Sequence, residues 1–197
     1  MNIVINADCI KYMQNIRDNA FDIVLTSPPF KDEDVDGDFW TFYDSFFKEC
    51  MRVCSKVCII IFSATKMNEV IQRYPPKRTM IWGKGVVKYS WRYNPIFVYQ
   101  KSEDYKVNKY IWSDVFGIPP LFGINKVHKY QDPVDLYSTI LSMFKDCKTV
   151  LDPFAGSGTT GIAAIRNNML YTLVDIDARN VEIIKDRINK QTLPIME

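Results

Sequence analysis

The chain predicts an α/β fold with a mostly parallel central sheet and helices on both faces, and three observations carry that prediction. Short apolar runs alternate with helical segments along most of the sequence. Two of those runs, residues 21–25 and 149–151, lead straight into turns rich in proline or glycine. The last fifty residues read as strand, helix, strand, helix without interruption. Strands alternating with helices are joined by crossovers, and a parallel sheet is the arrangement that crossovers serve.

The elements follow in order. Residues 3–5 have strand character, and residues 8–16 predict a short helix with Ile10, Met13 and Ile16 on one side. Strand 21–25 enters the turn Thr26-Ser27-Pro28-Pro29-Phe30. Residues 31–38 hold five acids and are expected to form a mobile polar loop. A helix over 40–53 spaces Tyr43, Phe46, Phe47 and Met51 for burial. Strand 57–62 comes next, then a short helix over 66–73 that Pro75-Pro76 stops. Strands 80–82 and 95–99 are joined by a basic, hairpin-like stretch. Residues 101–127 are the least regular and form the expected recognition insert. Asp132-Pro133 predicts a helix start, with an acidic N-cap and proline at the first helical position. Leu136, Ile140, Met143 and Phe144 share that helix's inner face. Strand 149–151, a glycine loop, helix 159–167, strand 170–174 and helix 178–188 complete the chain.

The 197 residues suit one domain spanning 1–197, large enough to bury its own core. Hydrophobic residues at 47% and charged residues at 24% exclude wholesale disorder. No apolar run reaches the length of a membrane span, and the first residues lack a leader's pattern. A cytoplasmic protein is therefore expected, with no membrane partner; a homodimer is left open. The five cysteines are odd in number, and Cys50, Cys54 and Cys58 are spaced by four. With His128 the only histidine, they read as buried thiols and no metal is expected. Cys58 opens a strand-like run and is expected to diverge from the helical face that carries Cys50 and Cys54.

The net charge of +2 conceals an asymmetry. Residues 77–129 hold ten basic side chains against three acidic ones, interleaved with Trp82, Tyr89, Trp91, Tyr93, Tyr99, Tyr105, Tyr110 and Trp112. Such a mixture suits a phosphate-facing surface with stacking groups. A solvated face over an aromatic core explains the same charges.

Gly156 and Gly158, at a strand-to-helix turn, allow backbone conformations that other residues resist. No lysine follows Gly158, which excludes the P-loop, and Asp152 at the strand tip would repel a pyrophosphate and suit a cation. Asp175, at the tip of the next strand, stands where nucleotide folds bind ribose hydroxyls. Asp177 reads better as the N-cap of the following helix. A cationic sulfonium ligand carrying an adenosine fits these features.

Thr26-Ser27-Pro28-Pro29-Phe30 resembles the catalytic motif of amino-group DNA methyltransferases. Asp152-Pro153-Phe154-Ala155-Gly156-Ser157-Gly158 resembles their S-adenosylmethionine motif. The order of the two is that of the permuted beta group. The resemblance extends to Asn6-Ala7-Asp8, to 81–84 and 93–95, and to His128-Lys129-Tyr130-Gln131-Asp132-Pro133. It departs at Ala7, Tyr130 and Asp132, and in the shortness of the insert. It implies a Rossmann-like methyltransferase fold, DNA as partner and a restriction–modification setting. It also implies a cofactor site that includes Asp8, Asp152, Phe154, Gly156, Gly158 and Asp175.

An exocyclic amine has its lone pair delocalised into the ring and is a poor nucleophile. Ser27 Oγ and the Pro28 carbonyl are expected to accept its N–H groups, Pro28 and Pro29 to stiffen the turn, and Phe30 to stack on the base. Serine at the first motif position implies cytosine N4 in this family; adenine N6, an RNA substrate and a catalytically silent nucleic-acid-binding module are the alternatives. His128 reads as part of the cofactor pocket or as exposed, rather than as a base.

Overall fold

The computed structural model describes residues 2–30, 35, 37–85, 92–103, 113–122 and 126–192. Eight strands form one sheet among these residues. They are β1 (Ile3–Asn6), β2 (Phe21–Thr26), β3 (Cys54–Ile61), β4 (Arg78–Gly83), β5 (Tyr93–Gln100), β6 (Val115–Phe116), β7 (Thr149–Asp152) and β8 (Leu170–Asp175). The helices are α1 (Cys9–Gln14), α2 (Phe39–Val53), α3 (Met67–Arg73), α4 (Val134–Ser142), α5 (Thr159–Arg166) and α6 (Ala178–Thr192).

The strand order is β1-β8-β7-β2-β3-β5-β4-β6. β1, β8, β7, β2 and β3 pair in parallel, while β5 runs antiparallel to both β3 and β4. β6 pairs with β4 in parallel, so β5 alone among the described strands reverses direction. Successive side chains of a strand point to opposite faces, which divides the central strands between two cores. Ile23, Leu25, Ile59 and Ile61 pack with Leu136, Ile140, Ile162 and Ile184 on the face covered by α4, α5 and α6. Val24, Cys58 and Ile60 pack with Met13, Phe46, Cys50 and Val70 under α1, α2 and α3. The expected α/β architecture, with helices on both faces, is the observed one.

Several local expectations change. α4 begins at Val134 with Pro133 as its N-cap, and no side chain caps it. Asp132 is therefore not the N-cap; its carboxylate accepts from the Tyr137 hydroxyl instead. Cys58 does not diverge from Cys50: the two pack in the same buried cluster, because α2 lies over β3. All five cysteines are buried and unpaired. Residues 31–34 and 36 of the acidic loop lie outside the described residues, as do 86–91 of the hairpin and 104–112 and 123–125 of the insert. No described helix is long and apolar enough to cross a membrane. The described residues hold no cluster of three metal-ligating side chains.

Candidate active site

β7 and β2 are neighbours, yet the chain leaves β7 toward β8 on one side and β2 toward β3 on the other. This is the switch point of an open α/β sheet, where the loops beyond the carboxyl ends part and leave a crevice. Ser27–Phe30 follow β2 there, and the glycine loop follows β7. A cavity of about 250 Å³ lies between them, lined by Ser27, Pro28, Pro29 and Phe30 on one side and Phe154, Ala155 and Gly156 on the other. A second cavity of about 360 Å³ adjoins it and carries Asp8, Ile10, Phe42 and Ile176. Pro29, Phe154 and Asp175 line both.

One acid ties the two loops together. Asp152, 3% exposed, accepts from Thr26 Oγ1 at 2.7 Å, from the Phe154 amide at 3.0 Å and from Thr160 Oγ1 on α5. Burial pushes its carboxyl up to about 6 against the pull of those three donors. A second acid shapes the glycine loop. Asp175 Oδ2 accepts from the Gly156 amide at 2.8 Å, and Oδ1 from the Asp177 amide and Asn180 Nδ2. Asp177 Oδ1 accepts from the Arg179 amide, as expected of the cap of α6.

Phe30 is braced rather than loose: its ring meets Phe62 edge-on at 6.1 Å, and Phe62 is fully buried against Phe39 and Tyr43. Phe154 is similarly held by Phe42 and Phe46. Gly156 has φ +50° and faces the His128 ring, which lines the same cavity. Gly158 is used differently. It lies at φ +78°, and a Cβ there would meet Ile184 of α6 at 3.0 Å, so its missing side chain serves helix packing rather than the cavity wall.

Over residues 21–186 the chain matches the family described as DNA methylase, that of the N6 and N4 methyltransferases. The chain belongs to that family. The type II methyltransferase M.HpaI of Haemophilus parainfluenzae is 26% identical over 237 aligned positions, which cover 95% of this chain and 74% of the relative. That alignment is longer than this chain, so gaps open within it. The structure of the M1.HpyAVI–SAM complex superposes with a TM-score of 0.75 at 20% identity, covering 96% of this chain and 100% of the other. The PvuII methyltransferase, named as cytosine-N4-specific, gives 0.78 at 15% identity, covering 98% and 87%. These two likenesses establish the fold.

In this DNA methylase the structure brings Ser27, Pro28, Pro29, Phe30, Asp152, Phe154, Gly156 and Asp175 to one cavity. Asp8 lines the adjoining one, where its carboxylate also caps α1 by accepting from the Lys11 amide. Gly158 lies behind the loop. Sequence reasoning missed Tyr130, Asp132, Tyr137 and Asn180, all of which line the cavity. Tyr137 shared the helical spacing of the inner face of α4, and its hydroxyl on an apolar face was the available signal. Burial lowers the His128 pKa, against the opposing pull of Asp175 and Asp177, and its Nδ1 accepts from the Tyr130 amide.

The basic segment also resolves into parts. Trp82 and Tyr99 are core residues, and Lys84 lies 4.8 Å over the Trp82 ring. Lys101 turns inward: its ammonium donates to the carbonyls of Met51, Arg52 and Cys54 at the end of α2. Lys129 stays beside the cavity, over the Tyr130 ring at 4.7 Å.

Proposed function

We propose that this DNA methylase transfers a methyl group from S-adenosylmethionine to an exocyclic amine of a base in DNA, with cytosine N4 as the target. The observation that supports this most is the single cavity shared by Ser27–Phe30 and the Asp152–Gly156 loop. When bound, S-adenosylmethionine supplies an electrophilic methyl group on a positively charged sulfur.

The residues present fit that cofactor. The carboxylates of Asp132, Asp152 and Asp175 surround the first cavity and favour a cation. The adjoining cavity is walled by Ile10, Phe42, Phe154 and Ile176 with the Asp8 carboxylate, a setting for a flat ring that carries an amine. A carboxylate offers about four acceptor sites, and Asp175 uses three on protein donors, which leaves capacity for a ribose hydroxyl.

At the other wall, Ser27 Oγ and the Pro28 carbonyl accept the two N–H groups of the target amine. Those bonds draw the nitrogen toward a tetrahedral geometry and aim its lone pair at the methyl group. Pro28 and Pro29 fix the backbone that presents the carbonyl. Phe30, immobilised by Phe62, stacks on the base, a contact worth about 1–3 kcal/mol in comparable sites. Alignment of the reactants supplies on the order of 7–11 kcal/mol of the barrier reduction. The amine is inaccessible in a duplex, so the base is flipped out or presented single-stranded. Residues 1–197 act as one methyltransferase domain, with 101–127 as a short recognition insert.

Incubation with labelled S-adenosylmethionine and DNA, followed by digestion to nucleosides, tests the reading. N4-methylcytosine is the expected product. N6-methyladenine alone would overturn the choice of base, and label confined to RNA would overturn the choice of polymer.

A further inference from the structure

We propose that Tyr137 and Asp132 form the exit for the proton that the target amine releases, running from Ser27 through the Tyr137 hydroxyl to the Asp132 carboxylate. The inference rests on the reading of Ser27 as acceptor for that amine. All three side chains line one cavity. Tyr137 sits in the first turn of α4, 3% exposed, and its hydroxyl donates to Asp132 Oδ2 at 3.1 Å. Ser27 lines the cavity beside that hydroxyl, and because the Tyr137 proton is given to Asp132, Ser27 is the one of the two hydroxyls left to donate to the other. Donation therefore runs one way, from the motif turn toward the acid.

That polarity has two consequences. A serine hydroxyl has one proton and two lone pairs, and here the proton is committed to Tyr137. The lone pairs are left to accept, which is what an amine N–H requires. The chain is also a ready path for a proton. As the C–N bond forms, the bond from methyl carbon to sulfur breaks and its electron pair stays on sulfur. The nitrogen, now cationic, gives one proton to Ser27 Oγ; the original Ser27 proton passes to Tyr137, and the Tyr137 proton to Asp132. Ser27 and Tyr137 end as they began. Asp132 ends neutral, so its negative charge and the positive charge brought by the methyl donor cancel.

Asp132 suits the end of such a chain. The fold does not use it as a helix cap, since α4 is capped by Pro133. Part of its side chain faces the cavity, while the atoms packed around it push its carboxyl up to about 6. It is thus ionised at neutral pH and more basic than an exposed aspartate. The charged groups that face it are Lys84, beyond β4, and Lys126, both of which favour the ionised form. Asp152, at the end of β7, lines the same cavity and also disfavours ionisation of Tyr137. Asp152 itself is a poorer acceptor, because three donors already hold it.

The test compares wild type, Asp132→Asn, Asp132→Glu, Tyr137→Phe and Ser27→Ala by single-turnover methylation across pH. It adds infrared titration of the carboxyl band in the cofactor-free protein. The wild-type rate should fall as pH drops through about 6, following ionisation of Asp132. Asp132→Asn and Tyr137→Phe should each lose on the order of 10²-fold in rate and lose that acidic limb. Cofactor affinity should change little in Tyr137→Phe, which keeps all three cavity carboxylates, and Asp132→Glu should restore the limb. In the cofactor-free protein Asp132 and Asp152 should both titrate near 6; one of the two transitions should vanish in Asp132→Asn and the same one should move in Tyr137→Phe. Tyr137→Phe keeps the packing volume and carries the test by itself should Asp132→Asn not fold. Full rate with an unchanged pH profile in both variants overturns the relay, as does a titration that Asp132→Asn leaves intact. If Ser27→Ala is inactive while these variants are fully active, only the relay fails. If Ser27→Ala methylates normally, the reading of Ser27 itself fails.

Discussion

At Asp152 a single carboxylate accepts from donors on β2, on the glycine loop and on α5, so the ends of the two central strands share one acid. Its folded pKa of about 6 lies above the ordinary 3.8, so ionisation works against the fold. Its stabilising contribution is complete below the unfolded value and is lost as pH rises through about 6, a change on the order of 3 kcal/mol. Asp152→Asn should therefore flatten the pH dependence of the melting temperature across that window; an unchanged profile would count against a buried, reluctant charge. The two glycines separate by the same close reading. Gly158→Ala combines a left-handed backbone with a 3.0 Å approach to Ile184 and should cost about 1–3 kcal/mol of stability by thermal unfolding. Gly156→Ala meets the His128 ring only at 3.6 Å, so it should cost less stability and weaken cofactor binding more, as calorimetry would read.

Among the elements, α2 shows how charge and fold are entangled. The Lys101 ammonium reaches the last turn of α2 from the end of β5 and donates to the Met51 carbonyl and to that of Arg52, which the Asn19 amide also meets. Lys101→Ala should lower stability by about 1–3 kcal/mol in a denaturant titration and leave DNA affinity nearly unchanged. The reverse pattern would return Lys101 to the nucleic-acid surface. The order of strands and helices was legible because each core strand is buried on both faces and reads as an apolar run. The boundaries of β3 and α6 were less so, since Cys54-Ser55-Lys56 is paired by its neighbours rather than by its own propensity, and Asn189-Lys190-Gln191 continues α6 past its last buried residue. The Asp132-Pro133 signal for a helix start was outcompeted: the carboxylate gains a partner in Tyr137, so the helix begins one residue later.

For the whole molecule, the meeting of Ser27 and Gly156 was legible because both follow strand-like runs, and a parallel sheet gathers such loops at one edge. Tyr137 was legible only as a hydroxyl on the apolar face of α4, and Asp132 was misread as a cap, because their meeting at the crevice depends on how the start of α4 packs there. The positive surface that remains after Lys84 and Lys101 are assigned to the fold should govern association with DNA. Affinity should fall steeply with salt, and Lys129→Glu, beside the cavity, should weaken binding by roughly tenfold. Lys185→Glu on α6 should do far less, and equal losses from both would remove the surface from that assignment.

β1 sits at the margin of the sheet and its neighbour is β8, the last of the described strands. During synthesis, β1 therefore leaves the ribosome well over a hundred residues before the strand that becomes its partner. The same delay applies to the crevice, whose second wall is translated more than a hundred residues after the first. A stalled or truncated nascent chain ending before β7 would expose the apolar central strands and would have nowhere to seat a methyl donor.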